Sequence, residues 1–217
     1  MNDIVLVGFG GHGKSVADCI ERQGLYRIIG YTDLTEYADS PYPYLGTDDA
    51  LEKLYEQGVR YAAVGIGYMG KGRIREQLYE KLTQRGFSLP VIVDPSAVVS
   101  PSAEIGEGTF VGKLAVVNAE ATIGKMSIIN TKALIEHECV VGDFTHVAVG
   151  AVLCGAVTVG NSCLVGANST ILQSCTLGNA VVVGAGSVVT KSLGDNTLFR
   201  HHYSRVIKTV DAGVLYE

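Results

Sequence analysis

The sequence predicts two joined domains, an α/β domain built on a parallel sheet and, after it, an all-β parallel β-helix. In the first part, short apolar runs alternate with helical stretches, a pattern typical of parallel sheets. From Val99 to Val189, an aliphatic residue then recurs at every sixth position, sixteen times in succession. The 27 glycines and the 18% of charged residues also favour a β-rich, turn-rich protein. We place the two domains at residues 1–94 and 95–217, the second including a C-terminal tail.

Charge, hydropathy and cysteine spacing exclude several classes of protein. A net charge of -5 gives no electrostatic footprint for nucleic acid. The chain shows neither a secretory leader nor an uninterrupted apolar run of about 18 residues. Its five cysteines have no Cys-x-x-Cys spacing, so neither a disulfide framework nor a zinc cluster is indicated. We therefore expect a soluble cytoplasmic protein without a nucleic-acid or membrane partner.

The first domain reads as a small Rossmann-like unit. An apolar strand at residues 4–7 leads into the glycine-rich turn Gly8 to Gly13 and a helix at 14–23. The further predicted elements are strand 27–32, helix 48–57, strand 60–66, helix 72–85 and strand 89–93. Ligands of such sheets bind beyond the carboxyl ends of the strands, where a glycine turn and a helix N-terminus meet phosphate.

Two motifs overlap on this turn. Gly8-x-Gly10-x-x-Gly13, with Asp33 twenty residues later, fits a dinucleotide fingerprint, whereas Gly8 to Ser15 also fits a phosphate-binding P-loop. At least one of these matches is accidental. A third interpretation is a tight turn that needs glycines and holds no ligand.

The repeat of the second domain predicts short strands joined by corners. The aliphatic residue and the small residue two positions before it should both face inward. Three hexapeptides make an 18-residue coil, so sixteen make about five coils, roughly 24 Å at ~4.8 Å per coil. Glycine or asparagine often follows the aliphatic residue, where we expect it to tolerate the backbone angles of the corner. Cys139, Cys163 and Cys175 fall on the small inward position, as apolar fillers.

Residues 99–193 closely resemble the left-handed parallel β-helix of hexapeptide-repeat acyltransferases, with the pattern [LIV]-[GAED]-x-x-[STAV]-x. In that family the three-sided coil of each chain forms a prism. Three such chains assemble as a homotrimer, and acyl-CoA binds in a groove between neighbouring prisms. The resemblance therefore implies a left-handed coil and a homotrimer.

The order of the two domains is similar to that of the PglD- and NeuD-type sugar acetyltransferases. The segments that carry this resemblance are GFGGHGKSVAD at 8–18, YTD at 31–33 and IEHECVVGDFTHVAVGA at 135–151. The PglD type implies transfer of acetyl from acetyl-CoA, the cosubstrate, to the 4-amino group of a UDP-linked 4-amino-4,6-dideoxy sugar. The NeuD type implies O-acetylation of sialic acid, which we keep as the alternative.

A histidine general base would suit this transfer, because its ordinary pKa of about 6.5 allows it to take the proton of an attacking amine. The resemblance implies that His137 is this base and that Glu138 holds its imidazole. Glu136, on the other side, is the alternative orienting residue. The competing interpretation of His137 is a solvated corner residue without a catalytic role.

The resemblance also implies binding residues for both substrates. His146 would lie against acetyl-CoA and donate to the thioester or the pantetheine, with Gly155, Ala167 and Ala185 as small residues along the cofactor. The predicted residues for the nucleotide sugar are Gly10, Gly11, His12, Thr32, Asp33 and Asn130. Competing interpretations are a subunit contact for His146, coil packing for the alanines and an asparagine ladder for Asn130.

One region departs from the family pattern. Residues 198–205 lack the Gly-x-Pro-Ala-[KR] ending found in many relatives, and Lys191, Arg200 or Arg205 could instead supply the charge that holds the CoA 3′-phosphate. The pair His201-His202 has no acidic companion, and we expect no metal. A carbonic-anhydrase-like enzyme would need three zinc-binding histidines, of which the prism offers only two. A non-catalytic nucleotide-sugar sensor or scaffold is the remaining rival.

Overall fold

The N-terminal domain contains a three-stranded parallel sheet of order β2-β1-β3. The computed structural model describes residues 1–70 and 72–200. The elements of this domain are β1 (Asn2–Val7), α1 (Gly11–Gln23), β2 (Tyr26–Thr32), α2 (Ala50–Glu56), β3 (Tyr61–Val64) and α3 (Ile74–Gln84).

Strand β1 is central because its two faces are both apolar. Ile4 and Leu6 pack against α1, while Val5 and Val7 pack against α2 and α3. All four residues are at most 1% exposed. The continuous apolar run of the sequence thus corresponds to a strand covered by helices on both sides.

The predicted strand 89–93 is wrong as a member of this sheet. Only Ser88 forms a bridge with Tyr61 of β3. Beyond it, β4 (Ile92–Val93) pairs with residues 110–111 of the second domain. After this one bridge the chain leaves the edge of the sheet and continues as the first strand of the solenoid, where the Ile92 N–H bonds the Thr109 carbonyl at 3.0 Å. The domain boundary at residue 94 stays a prediction.

The second domain is a solenoid of about six turns in three parallel sheets of seven, six and five strands. Its strands are β4 (Ile92–Val93), β5 (Val98–Val99), β6 (Glu104–Ile105), β7 (Phe110–Val111), β8 (Val116–Val117), β9 (Thr122–Ile123), β10 (Ile128–Ile129), β11 (Leu134–Ile135), β12 (Val140–Val141), β13 (His146–Val147), β14 (Val152–Leu153), β15 (Thr158–Val159), β16 (Leu164–Val165), β17 (Thr170–Ile171), β18 (Thr176–Leu177), β19 (Val182–Val183), β20 (Val188–Val189) and β21 (Leu198–Phe199). All sixteen predicted aliphatic residues are the second residue of a strand, β5 to β20. The sixth turn comes from β4 and β21, which flank the regular repeat.

The interior holds the aliphatic residues and the small residues predicted to face inward. Polar side chains among the small inward residues form hydrogen bonds with the neighbouring coil. For example, Thr109 Oγ1 donates to the Gly124 carbonyl at 2.7 Å and accepts the Ser127 N–H at 3.0 Å. Cys139, Cys163 and Cys175 are buried free thiols among these residues. Their predicted role as core fillers is confirmed.

The predicted reason for the corner glycines is wrong. The left-handed backbone angles occur two residues later, mostly at non-glycine residues such as Glu138, with φ 59°. The Glu138 N–H bonds the Ala119 carbonyl of the preceding coil at 3.0 Å, which holds this strained conformation in place. The glycine itself is needed for space: a Cβ on Gly142 would lie 2.6 Å from the carbonyl carbon of Gly160.

The N-terminal domain packs on the outward face of the seven-stranded sheet, where Phe110, Ile128 and His146 are buried. Several hydrogen bonds cross this seam; for example, Arg75 donates to the Met126 carbonyl at 2.7 Å, and the Tyr68 hydroxyl donates to the Ser162 carbonyl at 2.8 Å. Among the described residues, no helix has both the length and the apolar character that crossing a membrane requires.

The other two outward faces differ in character. The six-stranded sheet presents a column of mostly aliphatic side chains, namely Val98, Val116, Leu134, Val152, Thr170 and Val188. Val98 and Val188 are 64% and 48% exposed. The five-stranded sheet presents a mainly polar column, namely Glu104, Thr122, Val140, Thr158 and Thr176.

We predict that Gly142→Ala lowers the stability of the solenoid by about 3 kcal/mol, because the added methyl group meets the backbone of the next coil, which cannot move aside. The measurement is the free energy of unfolding in urea. Gly194→Ala is the matched control, since a Cβ there meets nothing within 4 Å. Equal stability of the two variants would contradict the close-approach explanation.

Candidate active site

His137 lies at the corner between the six-stranded and five-stranded sheets. Its Nδ1 is 3.0 Å from Glu138 Oε2, and the two side chains are 58% and 60% exposed. A carboxylate only accepts, so Nδ1 carries the hydrogen and neutral His137 keeps a bare Nε2. Glu136 instead accepts the backbone N–H of His137 at 3.2 Å. Of the two candidate orienting residues, Glu138 is therefore the one that contacts the imidazole.

Gly155 lies one coil beyond His137 and provides the space for its ring. A Cβ on Gly155 would lie 2.7 Å from both Cε1 and Nε2 of His137. The imidazole thus rests on the glycine backbone, and any side chain at this position would displace it. Together, residues 136–138 and 154–156 form what we name the His137 corner.

His146 occupies a different side of the prism. It is 8% exposed, its Nδ1 lies 2.7 Å from the Tyr68 carbonyl oxygen, and its Nε2 lies 3.1 Å from Asn130 Nδ2. Burial lowers the pKa of His146, the hydrogen bond to the Tyr68 carbonyl opposes this shift, and Arg75 adds to it. The ring is therefore neutral near pH 7 and accepts from Asn130 through Nε2.

The two histidines are not brought together within one chain. They are nine residues apart, which is half of an 18-residue coil. Consistently, His146 lies on the seven-stranded sheet, opposite the His137 corner. We name a second corner, between the seven- and six-stranded sheets, the Asn130 corner; it consists of residues 130–132, 148–150, 166–168 and 184–186. Ala167 and Ala185 lie in this column, whereas Gly155 lies at the His137 corner.

The glycines of the N-terminal turn divide into two groups. Gly8, with φ 92°, Gly13 and Gly65 pack so closely that added Cβ atoms would collide with neighbouring atoms, for Gly8 at 2.5 Å from Ile66. In contrast, a Cβ on Gly10 or Gly11 would meet nothing closer than 3.9 Å. The first group is structural, and the second leaves the start of α1 open.

This open turn has the properties of an anion site. Gly10 caps α1 without a side-chain hydrogen bond, and the first turn of α1 contains no acidic residue. The free N–H groups and the helix dipole there favour a phosphate. Asp33 fixes the turn by accepting the N–H groups of Phe9 at 2.8 Å and Thr35 at 3.2 Å. Thr32 is fully buried and donates to Asp48 at 3.1 Å.

The His12 side chain points away from the turn into the domain seam. Its ring meets Phe110 edge-on at 5.2 Å between centroids. Burial, then Arg75 and His146, lower the pKa of His12 to about 3. His12 therefore contributes a neutral ring to the seam, and only its backbone belongs to the turn.

A cavity of about 450 Å³ adjoins the turn and was not predicted from the sequence. Phe9, Tyr37 and Tyr42 line it together with Lys14 and the carboxylate of Asp18. The signal in the sequence that indicates it is the tyrosine-rich segment that follows Asp33, with Tyr37, Tyr42 and Tyr44. Its position beside an anion site suits the base of a nucleotide.

The predicted CoA-phosphate residues are only partly described. Lys191 and Arg200 are exposed near the end of the solenoid. Arg205, His201 and His202 lie outside the described residues. In the described part of the chain, no cluster of three or more His, Cys, Asp or Glu side chains is placed to hold a metal ion.

The combination of an α/β domain with a glycine turn and a hexapeptide prism with an exposed histidine defines a two-domain acyltransferase. Two family models match the chain: the PglD N-terminal domain over residues 3–82 and the bacterial transferase hexapeptide over residues 156–191. UDP-N-acetylbacillosamine N-acetyltransferase of Bacillus subtilis (strain 168) is 32% identical over 113 residues. That alignment covers 51% of this chain and 51% of the relative, so it spans about half the length of the curated protein.

Two solved structures match nearly the whole chain. One is a histidine-to-asparagine mutant of perosamine N-acetyltransferase from Caulobacter crescentus with CoA and GDP-perosamine, at 34% identity and TM-score 0.87, covering 93% of this chain and 94% of that one. The other is the acetyltransferase domain of PglB from Neisseria gonorrhoeae FA1090 with acetyl coenzyme A, at 34% identity and TM-score 0.85, covering 93% and 97%. The chain belongs to the PglD-type family of sugar acetyltransferases, for which acetyl-CoA is the cosubstrate.

We predict that His12 makes the protein less stable as the pH falls. Its folded pKa of about 3 lies below its ordinary value of 6.5, so between these values the unfolded chain binds a proton that the folded chain does not. The full stability is present above pH 6.5 and decreases below it. From about pH 7.5 to about pH 5, wild type should lose about 2 kcal/mol more free energy of unfolding than His12→Phe. Parallel losses in urea titrations would contradict the buried, neutral imidazole.

Proposed function

We propose that the protein transfers the acetyl group of acetyl-CoA to the 4-amino group of a nucleotide-linked 4-amino-4,6-dideoxy sugar. The observation that carries the proposal is His137, exposed at a corner of the prism with Nδ1 on Glu138 and Nε2 bare. UDP is the proposed carrier, supported by the name of the Bacillus relative. We further propose that the reaction takes place in the cytoplasm, where acetyl-CoA is available.

The reaction needs one base and one donor. The amine nitrogen attacks the thioester carbonyl, a C–N bond forms, and His137 Nε2 takes the proton of the amine. The carbonyl oxygen becomes an oxyanion that a hydrogen-bond donor stabilises. When this intermediate collapses, the C–S bond breaks and the CoA thiolate leaves, receiving the proton from His137. Glu138 stabilises the imidazolium that exists between these steps.

The complete site requires two copies of the chain. His137 and the Asn130 corner lie at the two edges of the six-stranded face of one prism, so neither copy alone surrounds the reacting atoms. The aliphatic face of the six-stranded sheet lies between the two corners. Burying this face around a three-fold axis would bring the Asn130 corner of one copy against the His137 corner of the next. We therefore propose a homotrimer with three clefts, each lined from both sides.

The nucleotide sugar has a continuous binding surface beside this cleft. We propose that the diphosphate lies on the N–H groups of Gly10 and Gly11, with the base in the tyrosine-lined cavity near Asp33. His12, behind the turn, packs against Gly67 and the face of the prism. The sugar would then extend toward Asn130 and meet His137 of the neighbouring copy. Acetyl-CoA would lie along Gly155 of one copy and His146, Ala167 and Ala185 of the other.

Three alternatives remain open, and the first comes from a particular observation. GDP replaces UDP as the carrier if the cavity binds a purine, as favoured by the GDP-perosamine in the Caulobacter structure. A hydroxyl replaces the amine if the chain acts as a sialic-acid O-acetyltransferase, because the same base serves either nucleophile. A non-catalytic scaffold would bind the nucleotide sugar without releasing CoA.

We predict that His137→Ala lowers kcat by a factor of roughly 10² to 10⁴, the range typical of a lost general base. The measurement is thiol release from acetyl-CoA with a panel of UDP- and GDP-linked amino sugars. Nucleotide-sugar affinity, measured by calorimetry, should stay within about threefold, since His137 does not touch the glycine turn. Thr158→Ala on the polar face is the matched surface control. Normal turnover by His137→Ala would remove the proposed base.

We predict that two inactive variants restore each other in mixed trimers. His137→Ala keeps an intact Asn130 corner, and Asn130→Ala keeps an intact base. Coexpression with two affinity tags and tandem purification selects trimers that contain both chains. In either mixed composition one cleft in three is intact, so activity should return to about a third of wild type. His137→Ala carried on both tags is the control, and mixed trimers as inactive as this control would contradict the shared cleft.

A further inference from the structure

The amide of Asn130 has a defined direction. Its Oδ1 accepts the N–H of Thr131 at 2.8 Å, and its Nδ2 faces His146 Nε2 at 3.1 Å. If the amide were reversed, Nδ2 would face the N–H of Thr131, a donor against a donor. At the same time, Oδ1 would face an imidazole nitrogen that must then carry a hydrogen.

That nitrogen carries no hydrogen in the folded protein. His146 Nδ1 lies 2.7 Å from the Tyr68 carbonyl oxygen, which can only accept, so the ring hydrogen is on Nδ1. A neutral imidazole then has a bare Nε2, which accepts from Asn130. Burial and the nearby Arg75 lower the pKa of His146, which keeps the ring neutral. The hydrogen bonds therefore run in one direction, from Asn130 through His146 to Tyr68.

The last acceptor in this series of hydrogen bonds, Tyr68, belongs to the N-terminal domain. Tyr68 is 8% exposed, and its hydroxyl holds the Ser162 carbonyl at 2.8 Å. The neighbouring Gly67 lies against His12, which follows the open glycine turn. The segment that sets the tautomer of His146 is thus in contact with the turn proposed to bind the diphosphate.

We propose that Tyr68 and His146 are a positioning pair that fixes the Asn130 amide, so that its second Nδ2–H points to the cleft as a donor to the developing oxyanion. The inference rests on the proposed acetyl transfer, and it assigns His146 a role behind Asn130 instead of a donor role at the thioester. It links the domain that holds the nucleotide sugar to the geometry of acyl transfer.

Substitutions at position 146 test the direction of these hydrogen bonds. Glutamine reproduces both contacts, because its amide donates to the Tyr68 carbonyl and its oxygen accepts from Asn130. Phenylalanine fills a similar volume and makes neither contact. Ser162→Ala is the matched control for a loosened seam, since it removes only the 2.9 Å bond from Ser162 to Glu76. Alanine is tolerated in this backbone conformation, as Ala156 and Ala180 show.

We expect His146→Phe to lower kcat on the order of 10²-fold, the effect of a misplaced catalytic group, with the KM for the nucleotide sugar nearly unchanged. His146→Gln should retain kcat within about tenfold of wild type, and Ser162→Ala should match wild type. Equal kcat in all three variants, or an equal loss in the Gln and Phe variants, would overturn the positioning role.

A spectroscopic measurement tests the same inference without turnover. Nitrogen-15 spectra of the histidine rings in wild type should show His146 with hydrogen on Nδ1 and none on Nε2. Asn130→Asp should move the hydrogen to Nε2 or protonate the ring, because an acceptor then faces Nε2. An Nε2–H tautomer in wild type would refute the proposal. If no amino sugar releases CoA from wild type, the proposed function fails, while this tautomer assignment is judged separately.

Discussion

The backbone hydrogen bonds between successive coils are the constraint on which the rest of the structure depends. The N–H of Ile128 bonds the carbonyl of Thr145 at 2.9 Å, and the N–H of His146 bonds that of Cys163 at 2.8 Å, one coil further. This register makes every residue a neighbour of the residue 18 positions away. It stacks His137 over Gly155 and brings glycines such as Gly142 and Gly160 into close contact. It also leaves corner residues such as Glu138 in strained angles that the neighbouring coils maintain.

The same register explains why the exposed His137, our proposed base, and the buried His146 occur nine residues apart. Half a coil separates them, so the rigid prism presents one at a corner and the other on the opposite sheet. Such a prism cannot bend to close a site around a substrate. A second copy is the simplest way to complete the cleft, and the aliphatic face between the two corners gives it an energetic reason to bind. In the proposed mechanism, catalysis and assembly therefore both depend on the 18-residue length of the coil.

The sequence predicted the solenoid well because each hexapeptide repeats the same local rule. It predicted strand 89–93 poorly, since an apolar run fits the edge of a sheet and the start of a solenoid equally. For the site, His137 and Glu138 were identified by resemblance, and their contact follows from adjacency. The Tyr68 partner of His146 was not predictable, because His146 bonds its backbone carbonyl, and every residue type has such a carbonyl. The inward direction of His12 was missed for a similar reason, as it depends on packing against Phe110.

The seam between the domains contains buried polar groups beside apolar side chains such as Phe110 and Ile128, and burying these polar groups has a cost. Arg75 is 3% exposed, and within residues 1–70 and 72–200 its guanidinium forms no ion pair and donates to the carbonyls of Ile66 and Met126. Burial lowers its pKa to about 10. An apolar seam of the same area would be more stable, but it could slide. Directional bonds from Arg75, Tyr68 and His146 hold the glycine turn at one distance from the Asn130 corner, and the proposed nucleotide sugar would need this fixed distance to span both domains.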